Sequence, residues 1–394
     1  MSLAPDSHCC WRRPRFKGAD MAEVESSLTG NGDQRETLVV VFLRGGADGL
    51  NLVAPLEDAG YYRARPRIAI GKPDCVKLDG FYGLNPLLRP LESIYKDGAL
   101  AVIHAAGSED DTRSHFEAQD LMEHGGITAG GWLGRFLRVQ NSSTSSPLAA
   151  VALGQAIPEC LRGVPAATVL QSLDDFSLGE NRGALTRALA KLYGMQTDVL
   201  AAAGRDTLKA LARVEQLRTS KYHPANGAEY GRDEFARGLW EVARLIKARV
   251  GLRAASLDLG GWDSHFSQSL IMDPLITRLA KGLSAFYRDL GSEMERTTVV
   301  VMTEFGRRVE ENSAFGTDHG RGSVMFVLGG GVKGGRVLGQ WPGLSREVLE
   351  GPGDLPVTTN YRNVLAPILQ RHGAGDRLGQ VFPDFKFAAL PLYG

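Results

Sequence analysis

The chain of 394 residues is short of the features that usually disclose a function. It has four cysteines, Cys9, Cys10, Cys75 and Cys160, and no two have the spacing of a zinc ribbon or a redox Cys-x-x-Cys, so thiols do not organise its chemistry. It has no excess of either charge, 45 Lys plus Arg against 45 Asp plus Glu, so no overall field recruits nucleic acid or an anionic membrane. Any anion selectivity must be local. It has no long apolar run; stretches such as Thr37–Leu43 and Thr297–Met302 are strand length, so no transmembrane segment is expected. The pair Arg12-Arg13 resembles the start of a twin-arginine export signal, but the apolar stretch such a signal needs is replaced by Lys17, Asp20, Glu23 and Glu25. As the sequence stands, export is not supported and the expected location is cytoplasmic.

Residues 1–36 are polar, mixed in charge and without periodicity, and read as an N-terminal tail. From Thr37 to the C-terminus the pattern is that of one large domain. The run Thr-Leu-Val-Val-Val-Phe-Leu (37–43) is continuously apolar, as for a strand buried on both faces, and opens into Arg-Gly-Gly-Ala-Asp-Gly. Similar runs at 100–105, 148–153, 297–302 and 323–328 alternate with helical stretches, which predicts a three-layer α/β/α sandwich around a largely parallel sheet. Helices are expected at 86–95, capped by Asn85, at 114–122 and at 360–371. Between about 174 and 250 two apolar stripes, Leu185, Leu189, Leu192 and Tyr193, then Phe235, Leu239, Val242 and Ile246, predict a helical insertion or cap.

Open α/β sheets gather ligands at the carboxyl ends of their strands. Asp48 and Glu304 have that address, each just beyond an apolar run. Asp263 and His265, in Gly-Gly-Trp-Asp-Ser-His, are two apart and on extended backbone project to one side. His319 lies in Gly-Thr-Asp-His-Gly-Arg-Gly, with Asp318 as the neighbour expected to orient it. Ser114, in Asp-Asp-Thr-Arg-Ser-His-Phe, stands at the start of a predicted helix, where a hydroxyl can attack or an anion can dock. Three carboxylates and two imidazoles suit zinc or manganese, with magnesium or calcium as alternatives. Taken singly, Asp48 reads as a turn or cap residue and Ser114 as a helix N-cap, while His8, His104, His124, His223 and His372 read as structural or exposed. The shared address and complementary ligand types argue for the metal site.

Together, the segments 41–51, 112–120, 260–265, 304–307, 316–322 and Gly-Gly-Gly-Val-Lys-Gly-Gly (329–335) resemble the uncharacterised bacterial domain-of-unknown-function family numbered fifteen-oh-one, over roughly residues 37–375. Members of that family are often labelled sulfatase-like or exported by the twin-arginine route. The family in turn is similar to the alkaline phosphatase superfamily, which includes sulfatases and cofactor-independent phosphoglycerate mutases. The resemblance implies an alkaline-phosphatase-like fold, with Asp48 as the first-strand metal acid, Ser114 as nucleophile, Asp263, His265 and His319 as ligands, and Glu304 in the place of an Asp-His pair's acid. Phe305 stands where that pair would put a metal-binding imidazole, so one metal position loses a ligand. His115 either replaces that ligand or acts as an acid or base. The implied activity is metal-dependent hydrolysis of a small phosphate or sulfate ester, with Arg307 or Arg321 gripping the anion. The alternative is a non-catalytic protein whose altered site binds an anion or a partner; a phosphomutase is a third reading.

Overall fold

The computed structural model describes residues 36–140, 147–164, 166–174, 182–195, 197–388 and 390–394. The expected tail, up to residue 35, lies outside the described residues.

Strands in chain order are β1 (Thr37–Arg44), β2 (Val53–Pro55), β3 (Val76–Lys77), β4 (Tyr82–Leu84), β5 (Leu100–Gly107), β6 (Ala150–Leu153), β7 (Thr168–Leu170), β8 (Ala254–Gly260), β9 (Thr297–Met302), β10 (Ser323–Gly329), β11 (Arg336–Leu338) and β12 (Thr359–Asn360). Nine of them form one sheet in the order β11-β5-β10-β9-β1-β8-β6-β7, with β12 beside β5; β2, β4 and β3 form a small separate sheet. Parallel pairing joins β1 to β8 and β9, β6 to β7 and β8, and β11 and β12 to β5. Only β10 runs against its neighbours β5 and β9. The fold is therefore a mixed, mostly parallel sheet with helices on both faces, as the alternation of runs predicts.

The continuous apolar run of β1 follows from this position. Val39, Val41 and Leu43 enter one core with the helices Glu234–Lys247 and Gln268–Leu290. Leu38, Val40 and Phe42 enter the other, with Trp132–Val139 and Tyr361–Leu369. A strand flanked by two cores has no face to spare for polar side chains.

The stripe Phe235, Leu239, Val242 and Ile246 is wholly buried, so the helix that carries it belongs to the layer covering the sheet. The earlier stripe is less covered, Leu185 and Leu192 being 43% and 52% exposed. Several elements escaped the sequence reading, among them a central strand and a long helix. Strand β8, next to β1, reads Ala-Ala-Ser-Leu-Asp-Leu-Gly, and Ser256 and Asp258 break its apolar run; the long helix Gln268–Leu290 has Pro274 within its first two turns. Asn85 caps its helix as expected, accepting the Leu87 N–H at 2.9 Å, and the residues beyond it wind first as a 3-10 helix, Pro86–Leu91, then as an α-helix, Glu92–Lys96.

His104, inside β5, is a structural histidine. Its Nε2–H donates to the Val53 carbonyl (3.0 Å) and its Nδ1 accepts the Ala105 N–H (2.9 Å), while Tyr82 stacks on the ring. Burial pushes its pKa down to about 4, and burial beside Arg371 pushes buried His372 down to about 3. Both rings stay neutral in the fold but take up a proton near pH 6.5 when unfolded, so stability falls as pH drops below 6.5 and continues to fall toward the native values. His104 alone contributes roughly 3 kcal/mol to this loss. Thermal melts across that window should show the decline, and His104→Gln, which can still donate to Val53 and accept from Ala105, should remove its share and leave that of His372.

Candidate metal centre

Strands β1, β8 and β9 end at one edge of the sheet, and β5 runs in the same direction. Their exit loops supply Gly45 to Asp48, Asp263 to His265, Thr303 to Arg307, and the approach to the helix His115–His124. Because β10 is reversed, the loop before it, carrying Asp318 and His319, arrives at the same edge. The chain can turn this tightly after β1 because Gly45 and Gly46 have positive φ (120° and 68°). A Cβ on Gly45 would lie 2.6 Å from the Asp263 nitrogen, and one on Gly46 would lie 2.6 Å from the Phe305 ring.

Around the Oδ1 atom of Asp263 three imidazoles converge. The Nε2 atoms of His265, His319 and His115 lie 3.0, 3.1 and 3.4 Å from it. Those of His265 and His319 are 2.9 Å apart. Each ring is held from behind through Nδ1. His115 Nδ1 faces Glu304 Oε1 (2.8 Å), His319 Nδ1 faces the Arg113 carbonyl (2.8 Å) and His265 Nδ1 faces Asp318 Oδ1 (3.4 Å). All three supports are acceptors, so each Nδ1 carries the hydrogen and each neutral ring turns an Nε2 lone pair toward Asp263. Lone pairs and a carboxylate oxygen repel one another unless a cation lies among them. His115 Nε2 is buried and has no hydrogen-bond partner.

A divalent cation fits this donor set. His115, Asp263 and His319 each offer an atom within 4.8 Å of the others', and His265 adds a fourth donor. Burial pushes the Asp263 carboxyl up, but the hydrogen bond and charge of Arg307, with His319 and His265 beside it, outweigh that and hold the group down to about 2. Burial, with Arg307 and His115 nearby, lowers the pKa of His319 despite Asp263 and the Arg113 carbonyl, whereas the hydrogen bond to Glu304 raises that of His115. Asp263 and His265 are 45% and 40% exposed, so the cluster opens to solvent on their side. On the other side Phe305 packs on His115 and His319, its ring centroid 4.8 and 5.0 Å from theirs.

Not every expected residue sits where the sequence suggested. Asp48 is buried away from the cluster, its carboxylate bound by Arg65 through both oxygens and by Gln268 Nε2 (2.6 Å). Glu304 reaches the site through His115; Oε1 also accepts from Gly45 N–H and Gln119 Nε2 (2.8 Å each), and Oε2 accepts from Thr303 (3.0 Å). Burial pushes its carboxyl up, yet those donors hold it below the usual range. Asp318 supports His265 rather than His319. Arg307 is no free anion grip: it donates to the carbonyls of Gly45, Gly46, Trp262 and Thr317 and to Asp263 (2.7 Å). Arg321 binds Glu350 and the Ser108 and Glu109 carbonyls, which leaves its Nε without a partner. Ser114 caps the helix that carries His115, its Oγ accepting the Glu117 N–H at 3.5 Å. The sequence reading missed Arg65, Gln119 and the Arg113 carbonyl. Gln119 lies one helical turn beyond His115, the only signal that could have marked it.

A family model described as "Protein of unknown function (DUF1501)" matches residues 98–377. No curated protein matches the chain. Similar solved structures include the PH0037 protein from Pyrococcus horikoshii (12% identity, TM-score 0.32, covering 90% of this chain and 99% of that one). Others are alkaline phosphatase from the Antarctic bacterium TAB5 (11%, 0.30, 75% and 92%) and the PsFucS1 sulfatase from Pseudoalteromonas sp. (12%, 0.34, 82% and 68%).

The pairing of Asp48 has a measurable consequence. Replacing Arg65 by Met strands a buried carboxylate and should lower the unfolding free energy by about 3 to 5 kcal/mol in denaturant titrations. Asp48→Asn should keep the wild-type metal content when folded; loss of the ion from the folded variant would return Asp48 to the ligand set.

Proposed function

The chain belongs to the DUF1501 family, and from its own site we propose that it is a metal-dependent hydrolase of phosphate or sulfate esters. In this reading His115, Asp263, His265 and His319 hold one divalent ion and Ser114 is the nucleophile. The observation that carries the metal half is the common tautomer imposed on three imidazoles, each with Nδ1 committed and Nε2 turned to Asp263. Three nitrogens and one oxygen favour zinc, then manganese, over magnesium or calcium, which prefer oxygen. Bound there, the ion would supply positive charge beside an anionic ester and an attacking oxygen.

The protein's own groups have definable tasks. Arg307 holds Asp263 charged and aimed, and Glu304 holds His115. Ser114 presents an exposed hydroxyl at the N-terminus of the ten-residue helix His115–His124, whose first-turn N–H groups favour an anion. Phe305 shields His115 and His319 from water on one side. Arg321 remains the arginine proposed to meet the anion. The ester class rests on the motif resemblance set out for the sequence.

The second reading keeps the ion but not the turnover. It is favoured by the burial of Arg307 and its engagement with five acceptors of the protein itself, which takes it out of the role of an open anion grip.

Zinc-loaded, desalted protein should hold close to one ion per chain by elemental analysis. His115→Ala, His319→Ala and Asp263→Asn should each lose it while keeping the wild-type circular dichroism. Because each imidazole must be neutral to bind, acidification should release the ion. Ser114→Ala should keep the ion and lose hydrolysis of nitrophenyl phosphate and nitrophenyl sulfate by several orders of magnitude. Wild-type protein that holds the ion and turns over neither ester would establish the second reading instead.

A further inference from the structure

Exposed apolar side chains are not spread evenly over the surface. Among the described residues eleven large ones are exposed, and four of them, Leu185, Leu192, Met195 and Leu200, fall within sixteen residues of chain. Scattered singly they would need no explanation; gathered on one element they mark a surface that something covers. The element is a helical hairpin, Arg182–Gly194 followed by Val199–Thr219.

The second helix is anchored to the body of the protein. Its Ala210 and Val214 are buried in the core, and Arg244 donates to the Leu217 carbonyl (2.8 Å). The first helix packs on the second with Tyr193, whose ring would meet a Cβ on Gly204 at 2.6 Å; Thr186 and Leu189, half-buried at helical spacing from it, share that face. The apolar stripe read from the sequence is thereby divided. Leu189 and Tyr193 face the other helix, whereas Leu185 and Leu192, with Ala188 between them and Met195 just past the helix end, form a second stripe that is exposed.

Charge follows the same pattern. Residues 182–219 carry seven Lys plus Arg against three Asp plus Glu, in a chain whose totals are 45 and 45. The helix Arg182–Gly194 contains no acid. Arg187 and Lys191, one turn apart and exposed, border the apolar stripe, and among the described residues neither has an ion-pair partner.

An apolar stripe edged with cations on an exposed helix suits an anionic lipid surface. Two other occupants fit less well. A second copy laid symmetrically on the stripe would bring like charges together, with no acid on the helix to answer them. A protein groove would draw its grip from aromatic anchors, and the exposed stripe offers none.

We propose that the helix Arg182–Gly194 docks the protein on anionic lipid, lying in the plane of the surface with Leu185, Ala188, Leu192 and Met195 toward the acyl chains and Arg187 and Lys191 toward the headgroup phosphates. The contact is peripheral: no helix of the described residues is long and apolar enough to cross a membrane. It uses no residue of the metal cluster, and so stands or falls apart from the hydrolase reading.

The test mixes the full chain with sedimentable vesicles of phosphatidylcholine alone, or with phosphatidylglycerol as about a third of the lipid. The protein should pellet with the anionic vesicles and stay in solution with the neutral ones. Raising the salt from about 0.1 M to about 0.5 M should weaken binding about tenfold, because the cations at the surface are screened. Leu192→Glu combined with Met195→Glu should weaken it about a hundredfold or more, and so should Arg187→Glu combined with Lys191→Glu. Ile127→Glu, at an exposed apolar residue outside the hairpin, should bind as wild type.

All four hairpin positions are exposed, so melting temperatures should stay near that of wild type. If the glutamate pair unfolds the hairpin, Leu192→Gln with Met195→Gln makes the same comparison without added charge. Wild-type protein that ignores anionic vesicles, or binds neutral ones equally well, overturns the proposal. Binding that survives loss of Leu192 and Met195, or that Ile127→Glu abolishes as fully, overturns it too. A dimer seen by light scattering, made monomeric by the Leu192 and Met195 substitutions in a protein that binds no vesicle, would assign the stripe to a second copy instead.

Discussion

One carboxylate oxygen faces three imidazole nitrogens and an arginine, and the rest of the site is arranged to keep that meeting in place. Asp263 Oδ1 receives Arg307 Nη2 at 2.7 Å and lies within 3.0 to 3.4 Å of the Nε2 atoms of His265, His319 and His115. Electron-rich atoms at such distances need positive charge between them. The protein provides one such cation from the side, the Arg307 guanidinium. Every outer contact of the histidines is compatible with this, since a carboxylate, a carbonyl and a second carboxylate occupy the three Nδ1 positions.

Two of the buried arginines show how charge is distributed around that centre. Arg307 is 1% exposed and Arg65 is fully buried, yet both are surrounded by acceptors. Arg307 ties the turn after β1 to the loop after β8 through the carbonyls of Gly45, Gly46 and Trp262. Arg65 neutralises Asp48 and donates to the Arg308 and Val309 carbonyls, securing the loop after β9. The loops around the cluster are thus held by guanidinium groups, which fit several carbonyls at once in a way an ammonium could not.

Much of this was legible in the sequence because burial leaves a plain signature. The run 37–43 reads as a strand buried on both faces that opens into a loop, and the structure places it between two cores. Asp263, His265 and His319 were readable from ligand type and local spacing. What was not legible was polarity at second remove. Nothing in the sequence distinguishes a carboxylate that meets a metal from one that meets an arginine, and so Asp48 and Arg307 were given roles that their partners preclude. Glu304 was assigned to the ion when it belongs to His115, because its real neighbour lies 189 residues away in the chain. His319 precedes its strand rather than following it, and the reversal of β10 is what brings it to the edge where the other strands end.

That reversal also bears on how the site comes together. Strands β9 and β10 are adjacent and antiparallel, so the segment from Thr303 to Gly322 leaves and re-enters the sheet at a single edge, as the arc of a wide hairpin. Bringing Glu304 beside His319 therefore closes a loop of only about 15 residues, a small entropic cost compared with recruiting His115 from the far half of the chain. Of the four side chains in the cluster only His319 comes with this hairpin; Asp263 and His265 follow β8, and His115 is brought from the first half of the chain as a long-range contact.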